Sequence, residues 1–170
     1  MTELRGRIVR LRDPAEGDIP DLARMREHPE LHHRWRGGDD KVAAVREDMA
    51  EDGSVGLVIE VDDRVVGWIQ YSEELEPDYK HASIDIYVDA DVHGVGIGTD
   101  AIRTLARHLF EDHGHHRIEI DPAADNEAAI ACYTKVGFRP VGILRQSERD
   151  NDGTWHDALM MDMLASELTP

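Results

Sequence analysis

Alternation of apolar and polar residues predicts four strands in the first half of the chain. Arg7–Asp13, with the sequence RIVRLRD, alternates and predicts the first strand. Ser54–Val61 and Val65–Ser72 flank Asp62–Arg64, a pattern typical of a β-hairpin. His81–Val88 alternates again and predicts the fourth strand.

Apolar residues three or four positions apart predict four helices. Two short helices precede the hairpin, one around Ile19–Met25 and one around Val42–Met49. The clearest amphipathic helix begins at Ile97 and ends near Gly114. Its inner face is formed by Ile97, Ala101, Leu105 and Leu109. Asn126–Val136 predicts the last helix.

Three further strands complete the pattern. His116–Asp121 is a short strand between the last two helices. Phe138–Gln146 and Trp155–Leu164 are the final pair, joined by a turn at Asp150–Gly153. This order of elements predicts an α/β or α+β domain built on one mixed sheet.

Composition indicates one soluble, globular domain. The chain has 170 residues, of which 41% are apolar and 32% charged, enough to bury a core. No apolar run reaches the length of a membrane span, and the first residues lack the apolar core of a signal peptide. Cys132 is the only cysteine, which excludes an internal disulfide and fits a reducing cytoplasm.

The formal net charge is −17, which disfavours nucleic acid and favours a cationic partner. Acidity that serves only solubility is the alternative. The acids are dense between Glu60 and Asp91, where only Arg64 and Lys80 oppose them. They are Glu60, Asp62, Asp63, Glu73, Glu74, Glu76, Asp78, Asp85, Asp89 and Asp91.

Three glycines precede the amphipathic helix in the segment His93–Thr99, HGVGIGT. Glycines leave backbone N–H groups accessible, and a helix N-terminus attracts anions, so the segment is a candidate phosphate site. Tight turns and close packing also use glycine, and the spacing alone leaves both interpretations open.

Three motifs and the order of elements together resemble the GNAT superfamily of acetyl-CoA-dependent N-acetyltransferases. His93–Thr99 is similar to the family's pyrophosphate loop, with His93 where Gln or Arg is usual. Asn126–Phe138, NEAAIACYTKVGF, is similar to the family pattern N-x-x-A-x-x-x-Y-x-K-x-G-F. DGTWHD before the last apolar strand is also common in the superfamily.

The resemblance implies one N-acetyltransferase domain spanning residues 1–170, with a twisted, mixed, mostly antiparallel sheet. About seven strands and four helices are expected, with a splay between the fourth and fifth strands. Acetyl-CoA is the implied cofactor, and a backbone N–H near Tyr87 or Val88 is expected to polarise its carbonyl. The implied cofactor-binding residues are Tyr87, Val88, His93, Gly94, Val95, Gly96, Ile97, Gly98, Thr99, Asn126 and Tyr133.

A narrower resemblance points to the aminoglycoside 6′-N-acetyltransferases. It rests on Trp35–Asp40, WRGGDD, on the pair Ile84 and Asp85, and on Asp121 followed by Pro122. This branch implies an antibiotic-resistance enzyme that acetylates the 6′-amine of an aminoglycoside. Related branches acylate polyamines, siderophore amines or protein N-termini, and those acceptors stay open.

The chemistry itself requires carboxylates and a proton donor. An alkyl amine with a pKa of about 10.4 is mostly ammonium at neutral pH, so it must be held and deprotonated. Asp85 is the candidate base, Asp121 its partner at the acceptor, and Tyr133 the implied acid for the departing thiolate. A solvated strand acid, a turn-capping aspartate and a packed aromatic are the respective alternatives.

The remaining candidates concern the acceptor. Trp35 is a candidate ligand contact or a core residue, and Trp68 is expected in the core. The acidic stretch expected to attract the acceptor is Glu73, Glu74, Glu76 and Asp78. His113–His116 is expected to be a loop of solvated histidines, with no metal, because no carboxylate cluster lies near it in the sequence. A non-catalytic acyl-CoA sensor is the rival function, and the resemblance allows a homodimer.

Overall fold

In the computed structural model, the described residues, 2–35 and 37–170, form eight strands in one sheet. The strands are β1 Glu3–Arg5, β2 Arg10–Arg12, β3 Ser54–Val61, β4 Arg64–Glu74, β5 His81–Val88, β6 Arg117–Ile120, β7 Arg139–Arg149 and β8 Trp155–Leu164. Their order across the sheet is β1-β2-β3-β4-β5-β6-β8-β7. Only the β5–β6 pair among them is parallel, which confirms the expected mixed, mostly antiparallel sheet.

Five α-helices accompany this sheet in the described part of the chain. They are α1 Ile19–Glu27, α2 Pro29–His32, α3 Lys41–Ala50, α4 Ile97–Glu111 and α5 Glu127–Val136. The predicted inner face of α4 is confirmed, because Ile97, Ala101, Leu105 and Leu109 are all buried. Within residues 2–35 and 37–170, no helix combines the length and apolar character needed to cross a bilayer.

The first predicted strand is confirmed only in part, because β2 lies within it, and the unpredicted β1 explains the extra strand in the count. Instead of one strand over Arg7–Asp13, β1 and β2 form a hairpin with a tight turn between them. The buried carboxylate of Asp100 on α4 accepts hydrogen bonds from the N–H groups of Arg7, Ile8 and Val9 at 3.2, 2.7 and 3.0 Å. This turn is stabilised by a residue more than ninety positions away, which a local pattern cannot reveal.

Hydrophobic clusters cover both faces of the sheet. One cluster joins the sheet to α4 and α5 and includes Ile84. The other joins it to α1 and α3 and includes Trp68 and Tyr87. Trp68 is buried, as expected from its strand. Since neighbouring strand residues face opposite sides, Asp85 lies on the α1 and α3 side with Tyr87.

The sheet opens between its two parallel strands. β5 and β6 pair only at Ala82 with Ile118 and at Ser83 with Glu119. Beyond these pairs the two strands separate, which confirms the expected splay. This opening, called the β5–β6 gap, is where the predicted site residues are found.

Candidate active site

The glycine segment forms an exposed loop that leads into α4. A one-turn 3-10 helix ends at Val92, and Gly94 and Gly96 then adopt positive φ angles of 82° and 89°. A Cβ atom at Gly94 would meet nothing within 4 Å, so the loop is open on its outer side. Gly94 and Gly96 are favoured here because residues with a Cβ atom adopt a positive φ angle only at a cost in free energy.

Backbone N–H groups at this end of α4 are available to a ligand. The first helical hydrogen bond is donated by Asp100 to the carbonyl of Gly96, at 3.0 Å. The N–H groups of Ile97, Gly98 and Thr99 therefore have no acceptor within the helix. Together with the positive end of the helix dipole, they form a site suited to a phosphate group.

The end of β5 presents a further N–H group to the gap. Asp89 donates its N–H to the carbonyl of Val66 on the neighbouring strand β4, at 2.8 Å. The preceding carbonyl, that of Val88, therefore points away from β4, and in an extended strand the N–H of the same residue points the same way. The N–H of Val88 thus faces the β5–β6 gap, whereas that of Tyr87 faces β4.

The side chain of His93 folds back onto this strand end. Its Nε2 donates to the carbonyl of Val88 at 2.8 Å, and its Nδ1 lies 3.8 Å from a carboxylate oxygen of Glu30. His93 therefore occupies the carbonyl of Val88 and leaves the N–H group of that residue for another acceptor.

Asp85 and Asp121 occupy equivalent positions on the two walls of the gap. Each lies two residues beyond the last β5–β6 pair, Ser83 with Glu119. Side chains two residues apart on a strand share a face, so Asp85 leaves the sheet on the side of Ser83, and Asp121 directly follows the last residue of β6. Both residues are exposed at this opening.

The hydroxyl of Tyr133 on α5 is influenced by the charges of both carboxylates. The residue is buried, with 8% of its surface exposed. Burial raises the pKa of its hydroxyl, and the charges of Cys132, Asp85 and Asp121 raise it further. The hydroxyl therefore stays protonated at neutral pH, within electrostatic range of both carboxylates.

Two short-range side-chain interactions hold α4 and α5 in place on their side of the gap. Asn126 caps α5, since its side chain accepts a hydrogen bond from the N–H of Ala129 at 3.3 Å. Thr99 Oγ1 lies 3.2 Å from Cys132 Sγ, which joins the first turn of α4 to α5. Burial raises the pKa of the Cys132 thiol, so this cysteine is not an activated nucleophile.

A cavity wall next to the loop that follows Asp121 was not predicted from the sequence. A cavity of about 460 Å³ adjoins the β6–α5 loop and is lined by Ala124, Asp125, Gln146, Trp155, His156 and Asp157. Arg34 crosses to this loop and donates to Asp125 at 3.0 Å. The exposed indole of Trp155 beside two carboxylates suits a cation with an apolar body.

Two signals in the sequence could have identified this wall. Asp125 directly precedes the motif that begins at Asn126, and Trp155 and Asp157 belong to the DGTWHD segment. Both segments carried the resemblance, but neither had been assigned a role at the acceptor.

Trp35 lies beside the site but is engaged elsewhere. Its ring packs edge-on against Tyr87 with centroids 4.8 Å apart, and its indole N–H donates to Asp48 at 3.2 Å. This supports the core interpretation of Trp35 more than the ligand interpretation. Arg36, within the same predicted segment, lies outside the described residues.

The structure separates Glu73 from the rest of the acidic stretch. Glu73 faces the α4 side, where it accepts hydrogen bonds from His113 and His115. Burial alone would raise its pKa, but these hydrogen bonds hold the pKa below its ordinary value. The other three, called the acidic loop, are exposed at the end of β4 and beyond it: Glu74, Glu76 and Asp78.

The acidic loop lies at some distance from the gap. Glu74 pairs with His81, and Asp85 is four residues further along β5. At about 3.3 Å per residue, the two positions are roughly 13 Å apart. The acidic loop can therefore attract a cation over a distance, but Asp85 and Asp121 alone stand at the gap.

Comparison with known proteins identifies the sequence family. A family model described as "Acetyltransferase (GNAT) family" matches residues 22–138. The Bacillus subtilis protein named "Probable N-acetyltransferase YjcK" is 28% identical over 114 residues, which cover 67% of this chain and 62% of the relative. The Klebsiella pneumoniae aminoglycoside N(6′)-acetyltransferase type 1 is 38% identical over 77 residues, which cover 45% of this chain and 36% of the relative. The chain thus spans less than two thirds of either relative.

Solved structures share the fold over almost the whole chain. Mycobacterium smegmatis RimJ, in complex with CoA-disulfide, has a TM-score of 0.82 at 26% identity, covering 99% of this chain and 88% of that protein. The ribosomal L7/L12 alpha-N-protein acetyltransferase RimL, in complex with coenzyme A, has a TM-score of 0.79 at 20% identity. That alignment covers 96% of this chain and 98% of RimL, and at this identity it shows the fold alone.

Proposed function

The chain belongs to the acetyltransferase (GNAT) family, and we propose that it transfers an acetyl group from acetyl-CoA to a primary amine of a polycationic small molecule. The proposed acceptor is the 6′-amine of an aminoglycoside. The observation that carries this proposal is that Asp85 and Asp121 flank the β5–β6 gap and that their charges act on the buried hydroxyl of Tyr133. The N–H groups of the first turn of α4, which have no acceptor within the helix, lie beside it.

The residues around the gap suit acetyl-CoA. The glycine segment, here called the glycine loop, offers open space and N–H groups between Gly94 and Thr99 for the pyrophosphate of acetyl-CoA. When bound, acetyl-CoA supplies a thioester carbonyl that an amine can attack. The N–H of Val88 faces the gap, and a hydrogen bond from it would stabilise negative charge on the carbonyl oxygen.

The proton transfers fall to residues of this chain. Asp85 and Asp121 hold the ammonium, and Asp85 takes the proton that the amine must lose. The neutral amine attacks, the new N–C bond forms as the C–S bond breaks, and the departing sulfur takes a proton from Tyr133. The nitrogen loses its second proton to Asp121, a proton returns from there to Tyr133, and the proton first taken by Asp85 leaves to solvent. Because burial and nearby negative charge raise the pKa of Tyr133, its hydroxyl is protonated at neutral pH when the sulfur departs. No covalent intermediate with the protein is needed.

Charge and shape on the acceptor side favour a polycation. The gap carries Asp85 and Asp121, and the cavity beside the β6–α5 loop adds Asp157 and the aromatic face of Trp155. Asp125 in the same cavity is already paired with Arg34. The carboxylate pair at the gap would bind the reacting amine while the cavity binds the remaining ammonium groups. The partial similarity to an aminoglycoside N(6′)-acetyltransferase supports the same acceptor.

Two other functions are distinguished by experiment. An acetyltransferase for peptide N-termini would share the fold, as RimL does, and an acyl-CoA sensor would keep the glycine loop without turnover. A thiol-release assay with acetyl-CoA should give the highest kcat/KM with kanamycin, compared with spermidine and a short peptide. Faster turnover of the peptide would overturn the acceptor, and tight CoA binding without turnover of any amine would favour the sensor.

A further inference from the structure

Three side chains of kinds that bind metals converge just after the end of α4. Glu73 Oε1 lies 2.8 Å from His113 Nδ1 and 2.6 Å from His115 Nε2. These three donor atoms all lie within 4.8 Å of one another. The sequence did not suggest this cluster, because Glu73 lies forty residues before His113. The expectation of solvated histidines is wrong for His115, which is 3% exposed.

We propose that Glu73, His113 and His115 bind a divalent transition-metal ion, for which Zn²⁺ is the best match. Imidazole nitrogen and carboxylate oxygen are ordinary ligands of Zn²⁺, whereas Mg²⁺ and Ca²⁺ prefer oxygen alone. Zinc bonds of about 2.0–2.2 Å place tetrahedral neighbours about 3.3 Å apart. The three donors need only small side-chain shifts from their present hydrogen-bonded distances to reach that spacing.

The surroundings leave the histidine nitrogens able to coordinate. Nδ1 of His115 is buried and has no hydrogen-bond partner among residues 2–35 and 37–170. Without a metal ion, Nε2 carries the ring proton and donates it to Glu73. Binding of a cation would move this proton to the unpartnered Nδ1 or release it, and Nε2 would then present its lone pair. Lys80 donates to the carbonyls of His113 and Gly114 at 2.9 and 3.3 Å, which holds the turn in place.

Such an ion would have a structural role, separate from the proposed chemistry. It would join β4 to the turn before β6, beside the pairs of Ala82 with Ile118 and Ser83 with Glu119 that form the closed end of the gap. Glu73 faces α4, whereas Asp85 faces the opposite side of the sheet. Binding should therefore stabilise the folded chain without occupying the acceptor site.

Calorimetric titration of the tag-free, metal-stripped full chain tests the proposal. Wild type should bind one Zn²⁺ per chain, and its Tm should rise with Zn²⁺ and fall again with chelator. His113→Gln and Glu73→Gln should each weaken binding by at least about tenfold, since even outer-shell changes cost that much. His116→Gln is the matched control, because His116 is exposed and adjoins the cluster in sequence.

Cobalt provides a readout that is independent of stability. Co²⁺ bound by these three ligands should give a visible absorption band, which His113→Gln abolishes and His116→Gln retains. Since His113 is partly exposed, its variant should fold even if a change at buried His115 does not. The proposal is overturned if wild type shows no saturable binding, or if His113→Gln binds Zn²⁺ as tightly as wild type.

Discussion

Gly98→Ala is expected to separate cofactor binding from folding. Gly98 lies in the first turn of α4, and a Cβ atom there would meet Cys132 Sγ at 3.6 Å and Val88 Cγ2 at 3.8 Å. Both are ordinary van der Waals distances, so the fold should accept the methyl group. Alanine also favours a helix over glycine by up to about 1 kcal/mol. The Tm should therefore stay the same or rise, by up to about 4 °C for a chain of this size.

The same methyl group should weaken coenzyme binding. It would stand between Val88 and Cys132, beside the N–H groups that are proposed to hold the pyrophosphate. Loss of one hydrogen bond to a charged group costs about 1.5–3 kcal/mol, which corresponds to a roughly ten- to hundredfold rise in Kd. Calorimetric titration with CoA measures this rise, and differential scanning calorimetry measures the Tm.

Gly17→Ala is the matched control, because a Cβ atom at Gly17 meets nothing within 4 Å and the residue lies before α1. It should leave CoA affinity unchanged. If Gly98→Ala binds CoA within about twofold of wild type while its Tm is unchanged or higher, the glycine loop is not the pyrophosphate site. A large fall in Tm would instead refute the packing argument.

Tyr133→Phe should slow turnover by about ten- to a thousandfold at saturating substrates, because it removes a proton donor. CoA affinity should stay within twofold of wild type, because no contact to the pyrophosphate is lost. Steady-state kinetics that match wild type would make Tyr133 a packing residue. Asp85→Asn should lower kcat/KM for kanamycin at both low and high salt, since a contact is little screened. Neutralising the acidic loop should raise the KM for kanamycin about tenfold at 0.01 M salt and less than about threefold at 0.5 M. The loop attracts the substrate over roughly 13 Å, and salt screens an attraction at that distance. A rise in KM that does not depend on salt would contradict this steering role. Asp18→Asn should lower the Tm by about 4–8 °C at pH 7, because it breaks a bidentate pair with Arg12 at 2.8 Å. The hydrogen bonds from Arg12 hold the pKa of Asp18 below its ordinary value, so this stability is present above pH 4 and is lost as the pH falls further; the Tm difference between the two proteins should shrink as the pH falls below about 4, and a constant difference would argue against the ion pair.

Strand and helix patterns predicted most of the sheet because local periodicity reports which face is buried. The alternation at His81–Val88 gave β5 and the side of the sheet on which Asp85 lies. The same reasoning failed at Arg7–Asp13, where alternation continues through a turn that Asp100 stabilises from α4. A contact between residues so far apart leaves no periodic trace in either segment.

The site was predictable to the extent that motifs carried it. The glycine segment, Asp85, Asp121 and Tyr133 were named from sequence. Asp85 and Asp121 flank the gap, and their charges act on Tyr133, but their roles stay a prediction. Glu73 could not be separated from its acidic neighbours, because strand register decides that it faces α4. The cavity wall with Trp155 was not predicted either. Its two segments were recognised as motifs, but they come together only when the β7–β8 turn packs beside the β6–α5 loop.

Acetylation of neamine and paromamine tests the central claim most directly. The two compounds differ only at the 6′ position, which carries an amine in neamine and a hydroxyl in paromamine. Mass spectrometry after incubation with acetyl-CoA should show one added acetyl group on neamine and none on paromamine, and NMR should place it on the 6′ nitrogen. Equal acetylation of both compounds would contradict the 6′ assignment, and acetylation of neither would contradict the proposed acceptor.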